Sequence, residues 1–125
     1  MKLLDAFCTV DAFVVEGTVI RAQLRFPESD PVYGGHFPGR PVVPGACILE
    51  VVKELAEHGL DGKLRLTSVG NIKFPAALLP SDTEPVTIEI NYVHHGDGWS
   101  ATATVKSGDR LNVSLRDLAF ESIEA

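Results

Sequence analysis

"PGACILEVVKELAEHG", residues 44–59, is the stretch on which the fold turns. After Pro44-Gly45, the apolar residues Ile48, Val51, Val52, Leu55 and Ala56 recur at the i, i+3, i+4, i+7 spacing of one helix face. Lys53, Glu54, Glu57 and His58 gather toward the end, and Gly59 predicts the stop. Cys47, Ile48 and Leu49 make the first half apolar nearly all round. That half is expected to be deeply buried, and the second half to reach solvent. No other segment has helical period.

Outward from this helix, the chain alternates with period 2. "TVIRAQLRF" (18–26), "PVTIEINYV" (85–93) and "GWSATATVK" (98–106) each set an apolar face against a polar one. "LNVSLRDLAF" (111–120) begins with Leu111, Val113 and Leu115 inward, and its phase slips at Asp117, which predicts a bulge. "AFCTVDAFVVEG" (6–17) predicts a strand paired with 18–26, and "KLRLTSVGNIKF" (63–74) another, interrupted at Gly70. "HGDG" (95–98) and "SGD" (107–109) are short enough for antiparallel hairpin turns. Strand, strand, long loop, helix and four strands make an α+β fold. An antiparallel sheet of five or six strands buries one face against the helix. With no repeat or linker, residues 1–125 are read as a single domain.

Composition narrows the function classes. Apolar residues at 45% and charged residues at 22% describe an ordinary globular chain, and a net charge of -6 argues against a nucleic-acid face. No window approaches the roughly 18 apolar residues of a membrane span. "MKLLDAFCTVDAF" meets Asp5 too early for a signal-peptide core, so the cytoplasm is expected. Cys8 and Cys47 lack metal-type spacing and suggest reduced thiols; no ligand cluster calls for a metal or redox cofactor.

Residues 27–43, "PESDPVYGGHFPGRPVV", form a long connection stiffened by prolines and anchored by apolar residues, which favours an ordered functional loop. His36 lies between Gly34-Gly35 and Phe37-Pro38-Gly39, where the backbone can approach a ligand closely. In isolation such a histidine more often bonds a loop carbonyl. Pro44-Gly45 then starts the helix, so the N–H groups of Gly45, Ala46 and Cys47 point from its positive end toward the loop. Glu50 falls in the apolar first half, where a buried carboxyl group would suit proton transfer; an exposed helix glutamate is the plainer alternative.

The run "GHFPGRPVVPGACILE" (35–50) resembles the signature of the 3-hydroxyacyl-acyl-carrier-protein dehydratases of bacterial fatty-acid synthesis. That family reads His-Phe-Pro-Gly-x-Pro-x-x-Pro-Gly with an acidic residue fourteen positions after the histidine, the spacing of His36 and Glu50. "NIKFPAALLPSDTEPVTIEI" (71–90) resembles its later Pro-Gly-Asp segment more weakly. The resemblance covers nearly the whole chain. It implies a hotdog fold, a sheet wrapped around one central helix. It also implies that His36 takes the proton alpha to a thioester carbonyl, that Glu50 helps the 3-hydroxyl leave as water, and that the Gly45 N–H polarises the carbonyl. The histidine and acid would come from different subunits, making a homodimer the minimum unit, with larger assemblies of dimers left open.

The implied substrate is an acyl thioester on the phosphopantetheine of acyl carrier protein, or on coenzyme A. Candidate contacts to it are Phe37, Val42, Val43, Ala46, Ile48, Phe74 and Leu78, with Arg40 at the loop mouth for a phosphopantetheine or an acidic carrier. The sequence departs from the family pattern at Glu54, where glutamine is usual, with Lys53 before it, and at Pro80-Ser81-Asp82. Two alternatives remain open: a hotdog acyl thioesterase and a non-catalytic acyl-thioester-binding protein. His94-His95 reads as a solvated turn, His58 as a cation at the helix C-terminus, Tyr92 and Trp99 as sheet packing, and Cys47 as a small core filler.

Overall fold

The alternating segments pair into one antiparallel sheet in a computed structural model that describes residues 7–28, 42–96 and 98–123. In chain order the elements are β1 (Thr9–Glu16), β2 (Val19–Phe26), α1 (Gly45–Leu60), β3 (Leu64–Lys73), β4 (Ser81–His95), β5 (Gly98–Ser107) and β6 (Arg110–Ser122). The strands lie side by side in the order β1-β2-β4-β5-β6-β3. The chain therefore leaves the sheet after β2, runs through α1, and re-enters at the opposite edge. One face of every central strand is apolar: Ile20, Leu24, Ile88, Ile90, Val105 and Leu115 are all fully buried against the helix. A sheet closed on one helix is the hotdog arrangement implied by the resemblance.

Three sequence expectations are corrected here. First, β3 runs unbroken through Gly70, and its register shift lies between Leu66 and Ser68. Gly70 is required by its neighbour: a Cβ there would stand 2.5 Å from Cβ of Asp117. Asp117 itself has φ 54 and sits in a register irregularity opposite β5, where the phase slip predicts a bulge.

Second, the helix passes Gly59 and ends at Asp61, whose φ of 53 is left-handed and whose N–H reaches the Glu57 carbonyl. Gly59 is explained by packing, since a Cβ there would lie 2.5 Å from Cδ1 of the fully buried Ile20. Third, the deepest part of α1 is its middle: Val51, Val52, Leu55 and Ala56 are buried, whereas Ala46 is exposed and Cys47, Leu49 and Glu50 are half-buried. At about 100° per residue, Ile48, Val51, Val52, Leu55 and Ala56 share one stripe, and the buried residues of α1 are that stripe and Glu54 beside it.

A second bulge also shifts an expected phase. Val105 pairs with Val113 but Lys106 with Leu111, so Asn112 is an extra residue in β6. Leu111, expected inward, is only half-buried, and Asn112 takes an inward place beside Val113 at 1% exposure.

Candidate active site

The start of α1 is left uncapped. Pro44 has an extended backbone (φ -64, ψ 141) and offers no side-chain cap, and the first turn holds no acidic residue. Its carbonyl accepts the N–H groups of Cys47 at 3.0 Å and Ile48 at 3.1 Å. Of the three donors expected from the sequence, Cys47 is thus already used. Gly45 and Ala46 keep theirs, with no hydrogen-bond partner among the described residues. Two N–H groups at the positive end of a helix can stabilise an oxygen that gathers negative charge.

The segment joining β3 to β4 frames this helix start from one side. Val43 donates its N–H to the Leu78 carbonyl at 2.8 Å. The Phe74 ring lies over Gly45, close enough that a Cβ on Gly45 would be 3.2 Å from it. Phe74 is nevertheless 56% exposed, while Val43, Ile48 and Leu78 are buried in the core. The predicted contact residues therefore divide. Phe74, Val42 and Ala46 remain accessible at the helix start; Val43, Ile48 and Leu78 form the packed floor beneath it. His36, Phe37 and Arg40 lie outside the described residues.

Glu50 is not the buried carboxylate that the apolar flanks suggest. Its side chain keeps 31% exposure, and the carboxylate buried within α1 is Glu54, at 4%. Two residues beyond Ile48 is about 200° round the axis, which sets Glu50 on the side of α1 opposite the Ile48 stripe. Its Oε2 atom is nonetheless shielded from solvent without a hydrogen-bond partner among the described residues. Lys53 Nζ stands 3.3 Å from that oxygen as an ion pair, close in distance but not in hydrogen-bonding geometry. A shielded acceptor atom with spare capacity is suited to a ligand hydroxyl.

The Ser81 departure also has a local account. Its Oγ accepts the N–H groups of Thr83 at 3.2 Å and Glu84 at 2.9 Å, at the first residues of β4. Two further charge pairs lie away from the helix start. Arg21 meets Glu89 at 2.9 Å and Arg25 meets Asp11 at 2.7 Å. The Arg25 guanidinium holds the Asp11 carboxyl below its usual range, and Asp11 in turn raises Arg25. A hydrogen bond from Arg21 likewise lowers Glu89. Both pairs sit on the solvated face of the sheet.

Of the residues with duller expectations, His58 is exposed with its ring 6.3 Å from Phe13. His94 and His95 are exposed at the end of β4, where the His94 ring lies 5.1 Å from Trp99 and His95 Nε2 is 2.9 Å from Ser100 Oγ. Neither cysteine forms a disulfide. Among the described residues, no group of three His, Cys, Asp or Glu side chains could hold a metal, and no helix is long and apolar enough to cross a membrane.

With the uncapped helix start and Glu50 placed, comparison with known proteins decides the family. The model of the ApeI-like dehydratases matches residues 14–109, which span α1 and most of the sheet. The chain belongs to the ApeI-like dehydratase family. This ApeI-like chain is 31% identical to the 3-hydroxyacyl-[acyl-carrier-protein] dehydratase FabZ of Macrococcus caseolyticus, over 77% of its own length and 70% of the relative's. It is 32% identical to the FabZ of Geobacter metallireducens, over 93% of its own length and 87% of that relative's. Among solved structures it resembles the dehydratase heterocomplex ApeI:P from Xenorhabdus doucetiae, with a TM-score of 0.72 at 18% identity, covering 89% of this chain and 96% of that one. An HP0420 homologue from Helicobacter felis gives 0.70 at 10% identity, covering 98% and 93%. Such low identities speak for the hotdog fold alone.

Two groups beside the site carried no sequence signal. Asn112 reads as a polar residue on an exposed strand position, and only the bulge turns it inward. Ser107 reads as the first residue of a hairpin turn, yet its Oγ donates to Asn112 Oδ1 at 2.8 Å.

Proposed function

We propose that this ApeI-like protein eliminates water from (R)-3-hydroxyacyl thioesters to give trans-2-enoyl thioesters, with the acyl group carried on acyl carrier protein. The observation that carries the reading is a single helix offering two unused N–H groups at its start and, at Glu50, a shielded carboxylate oxygen with spare hydrogen-bonding capacity. The thioester carbonyl would lie on the Gly45 and Ala46 N–H groups. His36 removes the C2 proton, the electron pair forms the C2–C3 double bond, and the C3–O bond breaks. Glu50, which must enter the step as the carboxylic acid, gives the departing hydroxide its proton, so that water leaves; proton exchange between the two side chains resets them. Elimination moves only a proton and a hydroxide, so no metal or redox group is asked for. Two cysteines outside any disulfide suit a reducing compartment such as the cytoplasm.

Assembly follows from the same reading. Glu50 lies on the side of α1 opposite the Ile48 stripe, and β3 pairs with β6 on one side only. Two chains joined along the free edge of β3 would extend the sheet across a two-fold axis. A homodimer is therefore proposed, His36 and Glu50 of one site coming from different subunits.

The test is turnover of 3-hydroxyacyl and 2-enoyl thioesters of graded chain length, followed by enoyl absorbance. Glu50→Gln and His36→Ala should each lower kcat by on the order of a hundredfold or more without unfolding the protein. Full activity in either variant sinks the assignment. Release of free thiol, read by a thiol reagent, would mark a thioesterase instead. The Glu50–Lys53 ion pair favours a second reading, a thioester binder without turnover; saturable binding with no change in the acyl chain would establish it.

A further inference from the structure

Asn112 is a buried amide, on a strand that contributes none of the proposed catalytic groups, and its side chain reaches across to the segment framing the helix start. Its Nδ2 donates to the Ala77 carbonyl at 3.0 Å and lies 3.5 Å from that of Ala76. Its Oδ1 accepts the Ser107 hydroxyl at 2.8 Å, and the two carbonyls, which can only accept, fix which end of the amide points where. Both ends are thus satisfied at 1% exposure, an expensive arrangement to break. The residue reaches this place only because it is the extra residue of the β6 bulge.

The segment that Asn112 holds touches α1 on either side of the grip. Before it, Phe74 lies over Gly45; after it, the Leu78 carbonyl takes the Val43 N–H at 2.8 Å. Val43 is followed directly by Pro44, whose carbonyl starts the helix. Hydrogen bonds, one ring contact and the backbone links Ala77–Leu78 and Val43–Pro44 therefore connect Ser107 and Asn112 to the first turn of α1.

We propose that Asn112 is a positioning residue for the Gly45 and Ala46 N–H groups, acting through residues 74–78. The proposal rests on the dehydratase reading for its kinetic consequence, and on the hydrogen bonds alone for its structural one. Donors aimed at developing charge work only if held in place, and a displacement of about 1 Å can cost two orders of magnitude in rate. Asn112 neither touches the proposed substrate path nor exchanges a proton, so its loss should act on the transition state more than on binding.

Asn112→Asp keeps the acceptor for Ser107 but sets an oxygen against the carbonyls of Ala76 and Ala77. In the full-length protein it should lower kcat for enoyl-thioester hydration about 10- to 100-fold while KM stays within about threefold. Independently of activity, hydrogen exchange of the Val43 amide should speed up at least about tenfold, while the Ile90 and Ala103 amides of the central sheet keep their rates. Kcat and Val43 exchange both within about twofold of the wild type overturn the proposal, as does a uniform rise in exchange over the whole sheet. If Asn112→Asp does not fold, Ser107→Ala removes one support of the same amide. It should then speed Val43 exchange about threefold, and an unchanged Val43 rate overturns the proposal. If the wild-type protein turns over no thioester, the dehydratase reading fails, and Val43 exchange still decides whether Asn112 holds the helix start.

Discussion

The two ends of α1 are built on opposite plans. The C-terminal end is fastened at several points. Asp61 and Gly62 both donate to the Glu57 carbonyl, the Glu57 side chain takes the Leu64 N–H at 2.8 Å, and Gly59 is pressed against Ile20. At the N-terminal end Pro44 supplies no cap, Gly45 and Ala46 keep their donors, and Phe74 stands half in solvent above them. A helix that needed only stability would carry Ser, Thr, Asp or Asn at the position of Pro44. One end anchors the element, and the other keeps the polar groups that the proposed function assigns to substrate.

That contrast can be broken from either side. Glu50→Gln should abolish most turnover with the melting temperature nearly unchanged. Gly59→Ala should do the reverse, costing about 1–3 kcal/mol through overpacking against Ile20 while the surviving folded protein keeps its kcat. Denaturant titration and steady-state kinetics on both variants separate the two ends. Equal losses of stability and kcat in both would erase the distinction.

Pro44→Ser is the sharpest intermediate case. A hydroxyl there can accept a spare N–H of the first turn, adding up to about 1 kcal/mol of stability, part of it offset by the lost stiffness of proline. Turnover should fall about tenfold as the donors are taken from substrate. A variant that is more stable and equally active would show that those donors are not used. At the other end, Asp61→Gly relieves a left-handed aspartate and should stabilise by about 0.5 kcal/mol, visible as a small rise in melting temperature with kinetics unchanged.

The smallest effect belongs to the Arg21–Glu89 pair, remote from both ends. Because Arg21 lowers the folded-state pKa of Glu89, the pair's contribution is present above the ordinary glutamate range. It is lost as pH falls through the lowered value. Both side chains are more than a third exposed, so Glu89→Gln should cost only a few tenths of a kcal/mol at neutral pH. The variant's stability should flatten on the acid side. A steeper acid limb would contradict the assignment.

Much of this architecture is legible residue by residue. The alternation of β2, β4 and β5 and the stripe through Ile48, Val51, Val52 and Leu55 give strands and helix their faces, since period alone determines which side is apolar. The phase slip at Asp117 locates a bulge for the same reason. The Glu50 environment was harder to read. Its apolar neighbours in sequence suggested burial, but they lie elsewhere around the helix, and Glu54 is the carboxylate that the fold covers. Gly59 read as a stop signal because glycine often is one, whereas its role is to let α1 approach Ile20.

The sequence by itself determined the α+β class, the order of the elements, and the helix whose start and Glu50 mark the candidate site, because periodicity and the proline-glycine motif are local properties. Only the tertiary structure decided how deep each residue lies and what its polar atoms meet. Burial depth depends on which helix stripe the sheet covers, and a single extra residue in β6 turns Asn112 from solvent into the core. Those are relations between segments distant in sequence, and no local pattern encodes them.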